Sequence, residues 1–173
     1  MTRARGSNAL MAGSFETTYG TPPATNFIKL PFVSHTLGEQ RGLIESDLLG
    51  FGREPLDPTY DVANNAGDVV VPVDARALGY WLKLLMGPSV DSAGAGGLMN
   101  HVFTSGALNL PSMSLEIGNP DVPFFSTHYG LRGNMMKIAL TRSGLLNATI
   151  SLIAQGETDP ATTSAAGTPA AVG

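Results

Sequence analysis

The sequence contains no cysteine in 173 residues. That excludes a disulfide framework, a zinc–thiolate centre and a thiol nucleophile. Charge is scarce: 14% of residues are charged, against about 25% in an ordinary soluble domain. What charge there is sums to −4, so there is no basic footprint for gripping nucleic acid. Long apolar runs are missing too. The most apolar stretch, "GYWLKLLMG", is short and broken by Lys83, so nothing here predicts a membrane span. The opening, "MTRARGSNALMAGSF", has Arg3 and Arg5 but no apolar core of signal-peptide length, which points to a cytoplasmic origin. A surface this neutral is poor at keeping molecules apart, and self-association is the plain expectation.

The chain is long enough for one domain with a real core. Residues 1–26 are small, polar and punctuated by glycine and proline, and read as an N-terminal arm. "FIKLPFVS" (Phe27 to Ser34) alternates as a strand does, with Pro31 suggesting an edge or a bend. Residues 41–68 are acidic and rich in glycine, proline and asparagine. They read as a structureless loop, and a connection this long inside a domain is usually functional or disordered. Val69, Val70 and Val71 suit a strand. Asp74 is placed to cap a helix over 75–86, where Ala77, Leu78, Trp81, Leu82, Leu85 and Met86 recur at helical spacing before Gly87-Pro88. Ser89 to Asn100 reads as a loop, followed only by alternating strands: 101–105, "SMSLEIG", "PFFSTHYGLRG", "NMMKIALTR" and "LLNATISLIAQGE". Ser143-Gly144 turns the last hairpin. In the final strand Leu146, Ala148, Ile150, Leu152 and Ala154 share one face, and Asn147, Thr149 and Ser151 the other. The fold class is mainly β with one α-helix, a β-sandwich over 27–157 with the helix on its flank. Residues 158–173 are a low-complexity tail with too little apolar surface to order itself.

No catalytic constellation emerges. His35, His101 and His128 make no helical metal pair, there is no G-x-S-x-G elbow, and Gly94 to Gly97 has no lysine after it to make a phosphate loop. Trp81 is a core residue before it is a ligand platform, and Arg53-Glu54 is a surface or interface pair before an active site. The sequence calls for no cofactor and no metal. Charge is nonetheless partitioned. Residues 39–74 hold eight acids against Arg41 and Arg53, while 129–143 hold Arg132, Lys137 and Arg142 with no acid. A solvated loop and an ordinary hairpin would explain this; so would an acidic loop of one copy meeting a basic patch of the next.

Three blocks point further: "ARGSNALMAGSFETTYGTPP", "LIESDLLGFGREPLDPTYDVANNAGDVVVPVDARALGYWLKLLMG" and "YGLRGNMMKIALTRSGLLNATISLIAQGE". Together, over about Ala4 to Glu157, the chain resembles the tail tube (major tail) proteins of long-tailed bacteriophages. The resemblance implies a β-sandwich with a flanking helix, rings usually of six subunits, and stacking of rings into a hollow tube that conducts DNA from capsid to host. It implies a virion-tail protein with no enzymatic role, whose partners are other copies of itself and the tail terminator, distal tail and tape-measure proteins. DNA would pass without specific binding. The long loop would reach an adjacent ring through Arg41, Glu45, Asp47, Arg53, Glu54, Asp57 and Asp61. Arg132, Lys137 and Arg142 are candidate basic partners on the neighbour. Asn147, Thr149 and Ser151, polar and uncharged, are candidates for the channel lining. The two arms would be interface, ordered on assembly. Alternatives are a tube subunit of a phage-derived particle, such as a gene transfer agent or contractile secretion device, and a β-sandwich binding or decoration module.

Overall fold

A computed structural model describes residues 3–46, 56–140 and 142–172. The strands in chain order are β1 (Leu10–Phe15), β2 (Ile28–Lys29), β3 (Ser34–His35), β4 (Gly38–Gln40), β5 (Leu43–Ile44), β6 (Thr59–Tyr60) and β7 (Asn64–Pro72). After the helix α1 (Leu78–Met86) come β8 (Val90–Ala93), β9 (Met99–Val102), β10 (Met113–Asn119), β11 (Phe124–Ala139), β12 (Asn147–Ala154), β13 (Gly156–Glu157) and β14 (Ala170–Ala171). The protein is mainly β with one α-helix, as its alternating sequence predicts.

Ten strands form one sheet in the order β14-β2-β1-β10-β11-β12-β7-β3, with β13 on β11 and β4 on β7. The sheet turns on β11. The first part of this strand pairs with β10, and its last part pairs with β12. Two irregularities bend it, one around Tyr129–Gly130 opposite Ser114 and one between Gly133 and Met135. Gly130 has φ +64, and a Cβ there would lie 2.7 Å from Gln155 Cβ; only glycine takes this corner without strain. The two halves close on a core of Met11, Leu115 and Leu131 from one side and Val69, Ile150 and Leu152 from the other. Trp81 and Leu84 of α1 complete it.

The helix starts later than its periodicity suggests. Ala75–Ala77 form a turn, and the Asp74 carboxylate accepts from the N–H groups of Arg76 (2.7 Å) and Ala77 (2.6 Å). Asp74 therefore caps this entry, and Gly87, at φ +99, ends the helix.

Several sequence expectations need correction. Residues 1–26 are not all arm: β1 lies in the middle of the sheet between β2 and β10, with Met11 and Ala12 fully buried. Its small residues fit because both faces are covered, which erases the alternation of a half-exposed strand. "FIKLPFVS" is two strands, because Pro31 has no N–H for a ladder; β2 joins β1, and β3 joins β7. The segment 41–68 is not structureless throughout: β5 pairs with β6, and β7 already begins at Asn64. Ser89 to Asn100 lies largely within the β8–β9 hairpin. The two strands expected across Pro123 to Arg142 are the single β11. The tail, expected to be unordered over 158–173, is held by its own subunit over 158–172, through a bridge of Ala161 to Phe125 and parallel pairing of β14 with β2.

Candidate functional site

The outward face of β12 is framed on both sides. Asn147, Thr149, Ser151 and Ile153 stand opposite Pro72, Val70, Asp68 and Ala66 of β7. On the other side they stand opposite Ala139, Lys137, Met135 and Arg132 of β11. The face is therefore not uncharged, as reading one strand suggested: Lys137 sits directly across from Thr149, and Ser151 donates to the Asp68 carboxylate at 2.6 Å. A concavity of about 310 Å3 lies here, lined by Lys137, Ala139, Leu145, Asn147 and Thr149. The Asn147 Oδ1 atom is buried and finds no partner among the described residues.

The three basic residues separate. Arg132 lies over the Tyr19 ring at 5.0 Å, a cation–π contact within the subunit. Lys137 faces the concavity, and Arg142 is exposed in the β11–β12 turn. Neither forms an ion pair among the described residues. Of the loop acids and bases, Arg41 pairs with Glu39 of its own subunit at 3.1 Å. Asp61 accepts from the Val62 N–H at 2.7 Å, and Glu45 and Asp57 are exposed. Asp47, Arg53 and Glu54 lie outside the described residues.

The molecule also exposes apolar side chains on its hairpins, which sequence patterning did not single out. Leu43, Ile44, Tyr60 and Val62 (84% exposed) crowd the β5–β6 pair. Leu140 and Leu145 (87% exposed) flank the β11–β12 turn, and Val90, Met99 and Val102 line the β8–β9 hairpin. Scattered exposed apolar residues are ordinary, but clusters mark contact surfaces. A second concavity, of about 520 Å3, lies between α1, β8–β9 and Val172. On its rim Asp91 accepts from the Ser89 hydroxyl at 2.6 Å and contacts His101 Nδ1 at 2.7 Å. These contacts hold the Asp91 carboxyl below its usual range, the Ser89 hydrogen bond most and His101 next. Serine is bonded to the aspartate here and not to the histidine, so the trio lacks the relay of a hydrolase.

Four carboxylates inside the fold have structural partners that nothing local in the sequence marks. Glu16 accepts from the Gly20 and Gly130 N–H groups and the Ser112 and Ser114 hydroxyls. Glu39 and Glu157 are reciprocal: each carboxylate accepts the other's backbone N–H, at 2.9 and 3.0 Å. This clips β4, at the root of the long loop, to β13, at the root of the tail. Beneath the clip, His128 is buried, with Nδ1 3.1 Å from Asn65 Nδ2 and 3.7 Å from a Glu157 oxygen. Burial lowers the His128 pKa, against the pull of Glu157. Glu116 is the fourth. Among the described residues, no cluster of three or more metal-ligating side chains occurs, and no helix is long and apolar enough to cross a membrane.

Comparison with known proteins places this architecture. No curated protein sequence matches the chain. Among solved structures, one from the anti-feeding prophage baseplate, determined with six-fold symmetry, matches with a TM-score of 0.56 and 12% identity over 91% of this chain and 95% of its own. The SPP1 tail tube matches with a TM-score of 0.52 and 12% identity over 90% of this chain and 77% of its own. At such identities these likenesses establish a shared fold. The family model for phage tail tube proteins matches residues 6–173. The chain thus belongs to the phage tail tube protein family, and is a structural component of the tail tube of a phage virion or phage-derived particle.

Proposed function

We propose that the subunit closes into six-membered rings that stack into a hollow tube, with the outward face of β7, β12 and β11 lining a channel through which DNA passes. The observation that carries this reading is the set of apolar clusters on three hairpins, β5–β6, β8–β9 and β11–β12. A subunit exposing Leu43, Ile44, Tyr60, Val62, Leu140 and Leu145 gains when copies cover them, at about 25 cal/mol per Å2 of apolar surface. A head-to-tail contact of this kind either closes into a ring or runs on as a filament, and a tube of stacked rings uses both. The β5–β6 hairpin and the residues between its strands supply the contact to the next ring. Glu45 and Asp57 on that loop suit Arg142 on the β11–β12 turn of a neighbour. Lys137 belongs to the channel face instead of the loop contact.

The channel face explains passage without capture. DNA gains affinity by releasing counterions to lysine and arginine. Here Asn147, Thr149 and Ser151 are neutral, Asp68 offsets Lys137, and Arg132 is engaged by Tyr19. The tube's ends would meet tail terminator and distal tail proteins, and its interior a tape-measure protein. The role is structural, with no catalysis.

The test is a paired substitution, Leu43→Asp with Val62→Asp, on the exposed side of the hairpin. The subunit should keep its circular dichroism and unfolding midpoint yet fail to lengthen into tubes. Tubes of normal length would sink the reading.

A further inference from the structure

We propose that residues 162–172 form an exchangeable strap latched by Glu116, and that the cradle it occupies binds the same segment of a second copy. After β13 the chain first stays beside β11. Thr158 N–H donates to the Thr127 carbonyl at 2.9 Å, and Ala161 and Phe125 exchange two backbone hydrogen bonds. It then crosses β10 and ends next to β2, where Ala170 N–H donates to the Phe27 carbonyl at 3.0 Å.

Glu116 lies under that crossing, 1% exposed. Every hydrogen bond of its carboxylate among the described residues comes from the strap. The Ser164 hydroxyl donates to one oxygen, and the N–H groups of Ala165 (2.6 Å) and Ala166 (3.2 Å) donate to the other. A buried charge is costly unless it is paired and hydrogen-bonded. Here the same segment both buries and pairs it. When the strap lifts, Glu116 loses these donors and returns to water.

The strap itself carries little that resists release. From 162 to 171 it is threonine, serine, alanine, glycine and proline, and Val172 is its one larger apolar anchor, packed against the edge of the core. Its hydrogen bonds to the rest of the subunit, among the described residues, are made by backbone groups and one hydroxyl. An identical segment from another copy reproduces each of them. A terminal element with the same contacts available within and between protomers is the requirement for exchange. This deepens the self-assembly reading above and rests on it for its setting, since exchanged straps would tie neighbouring copies together. Binding of the segment itself needs no tube.

The test uses a fluorescent peptide of residues 158–173 and the full-length protein, read by anisotropy. Ala165→Pro removes the shorter backbone donor from the protein's own strap and leaves the cradle intact. Labelled peptide should bind this variant roughly tenfold or more tightly than wild type, the factor expected for one hydrogen bond to a charged group. Ser164→Ala, which keeps the backbone unchanged, should show the same direction. Adding Glu116→Gln to Ala165→Pro should weaken that binding again, because glutamine offers one acceptor oxygen and an NH2 group where the peptide's donors need two acceptors, whereas the Ala165→Pro strap has already lost one of those donors. Hydrogen exchange of β7 and β12 amides confirms that each variant is folded. Absence of saturable binding to both strap-weakened variants, or binding to the Ala165→Pro/Glu116→Gln double variant as tight as to Ala165→Pro, would overturn the proposal. Peptide binding by a protein that never forms tubes would uphold the strap and refute the tube reading alone.

Discussion

Substituting Glu16 tests how the first strand is tied to the bend in β11. Its carboxylate gathers four donors: Gly20 N–H at 2.9 Å, Gly130 N–H at 2.7 Å, and the hydroxyls of Ser112 and Ser114 at 2.6 Å each. A hydrogen bond to a charged group contributes about 1.5–3 kcal/mol. The four are not additive, since hydroxyls can rotate to water and Glu16 is only partly buried. The Gly130 N–H, fixed in a bulge at φ +64, cannot rotate. Glu16→Ala should therefore cost about 3–5 kcal/mol, and Glu16→Gln, which keeps one acceptor oxygen, about 2–3 kcal/mol. For a chain of this size the smaller change lowers the melting temperature by roughly 4–12 °C. Urea unfolding at subunit concentrations below assembly gives the values directly. A loss under about 1 kcal/mol for Glu16→Ala would show that the carboxylate is solvated, and that the turn at β11 holds without it.

Other consequences follow from single contacts. Trp81→Ala should cost about 3–5 kcal/mol in urea unfolding. Trp81→Phe should cost under about 2 kcal/mol, because the buried indole N–H has no partner among the described residues to lose. Asp74→Ala should cost about 1 kcal/mol, the usual effect of a lost helix cap. Thr149→Lys, which sets a second cation beside Lys137, should leave tube assembly intact and slow DNA ejection; unchanged infectivity would count against the channel face. His128, facing Glu157, Glu39, His35 and Asn65, gives a pH dependence. Its pKa is lowered by burial, so the unfolded chain binds the proton more readily. Stability is then full above the unfolded value of 6.5 and falls as pH drops below it. His128→Gln should flatten that slope in urea titrations between neutrality and mild acid.

The elements most legible in the sequence are those with one wet face. The β12 alternation from Leu146 to Ala154 gives its buried side residue by residue, and α1 is readable from the spacing of Ala77, Leu78 and Trp81, although Leu84, outside the expected face, is fully buried where Leu82 is not. Where both faces are covered, the pattern disappears. β1 is invisible because Ala12 and Ser14 lie under other chain segments, and β10 buries Ser114 and Glu116 as fully as Met113 and Leu115. The tail is misread for a related reason: its order comes from backbone donors meeting Glu116, a pairing separated by about fifty residues that composition does not encode. The face proposed to line the channel is half legible. Asn147, Thr149 and Ser151 share a side, but register alone brings Lys137 and Asp68 beside them.

Electron microscopy of the purified full-length protein over a range of concentrations tests the central claim most directly. Rings and hollow tubes with six-fold end views are expected, growing in number as concentration rises. Small single particles at every concentration, with tail-tip components added or not, would contradict assembly through the exposed hairpins.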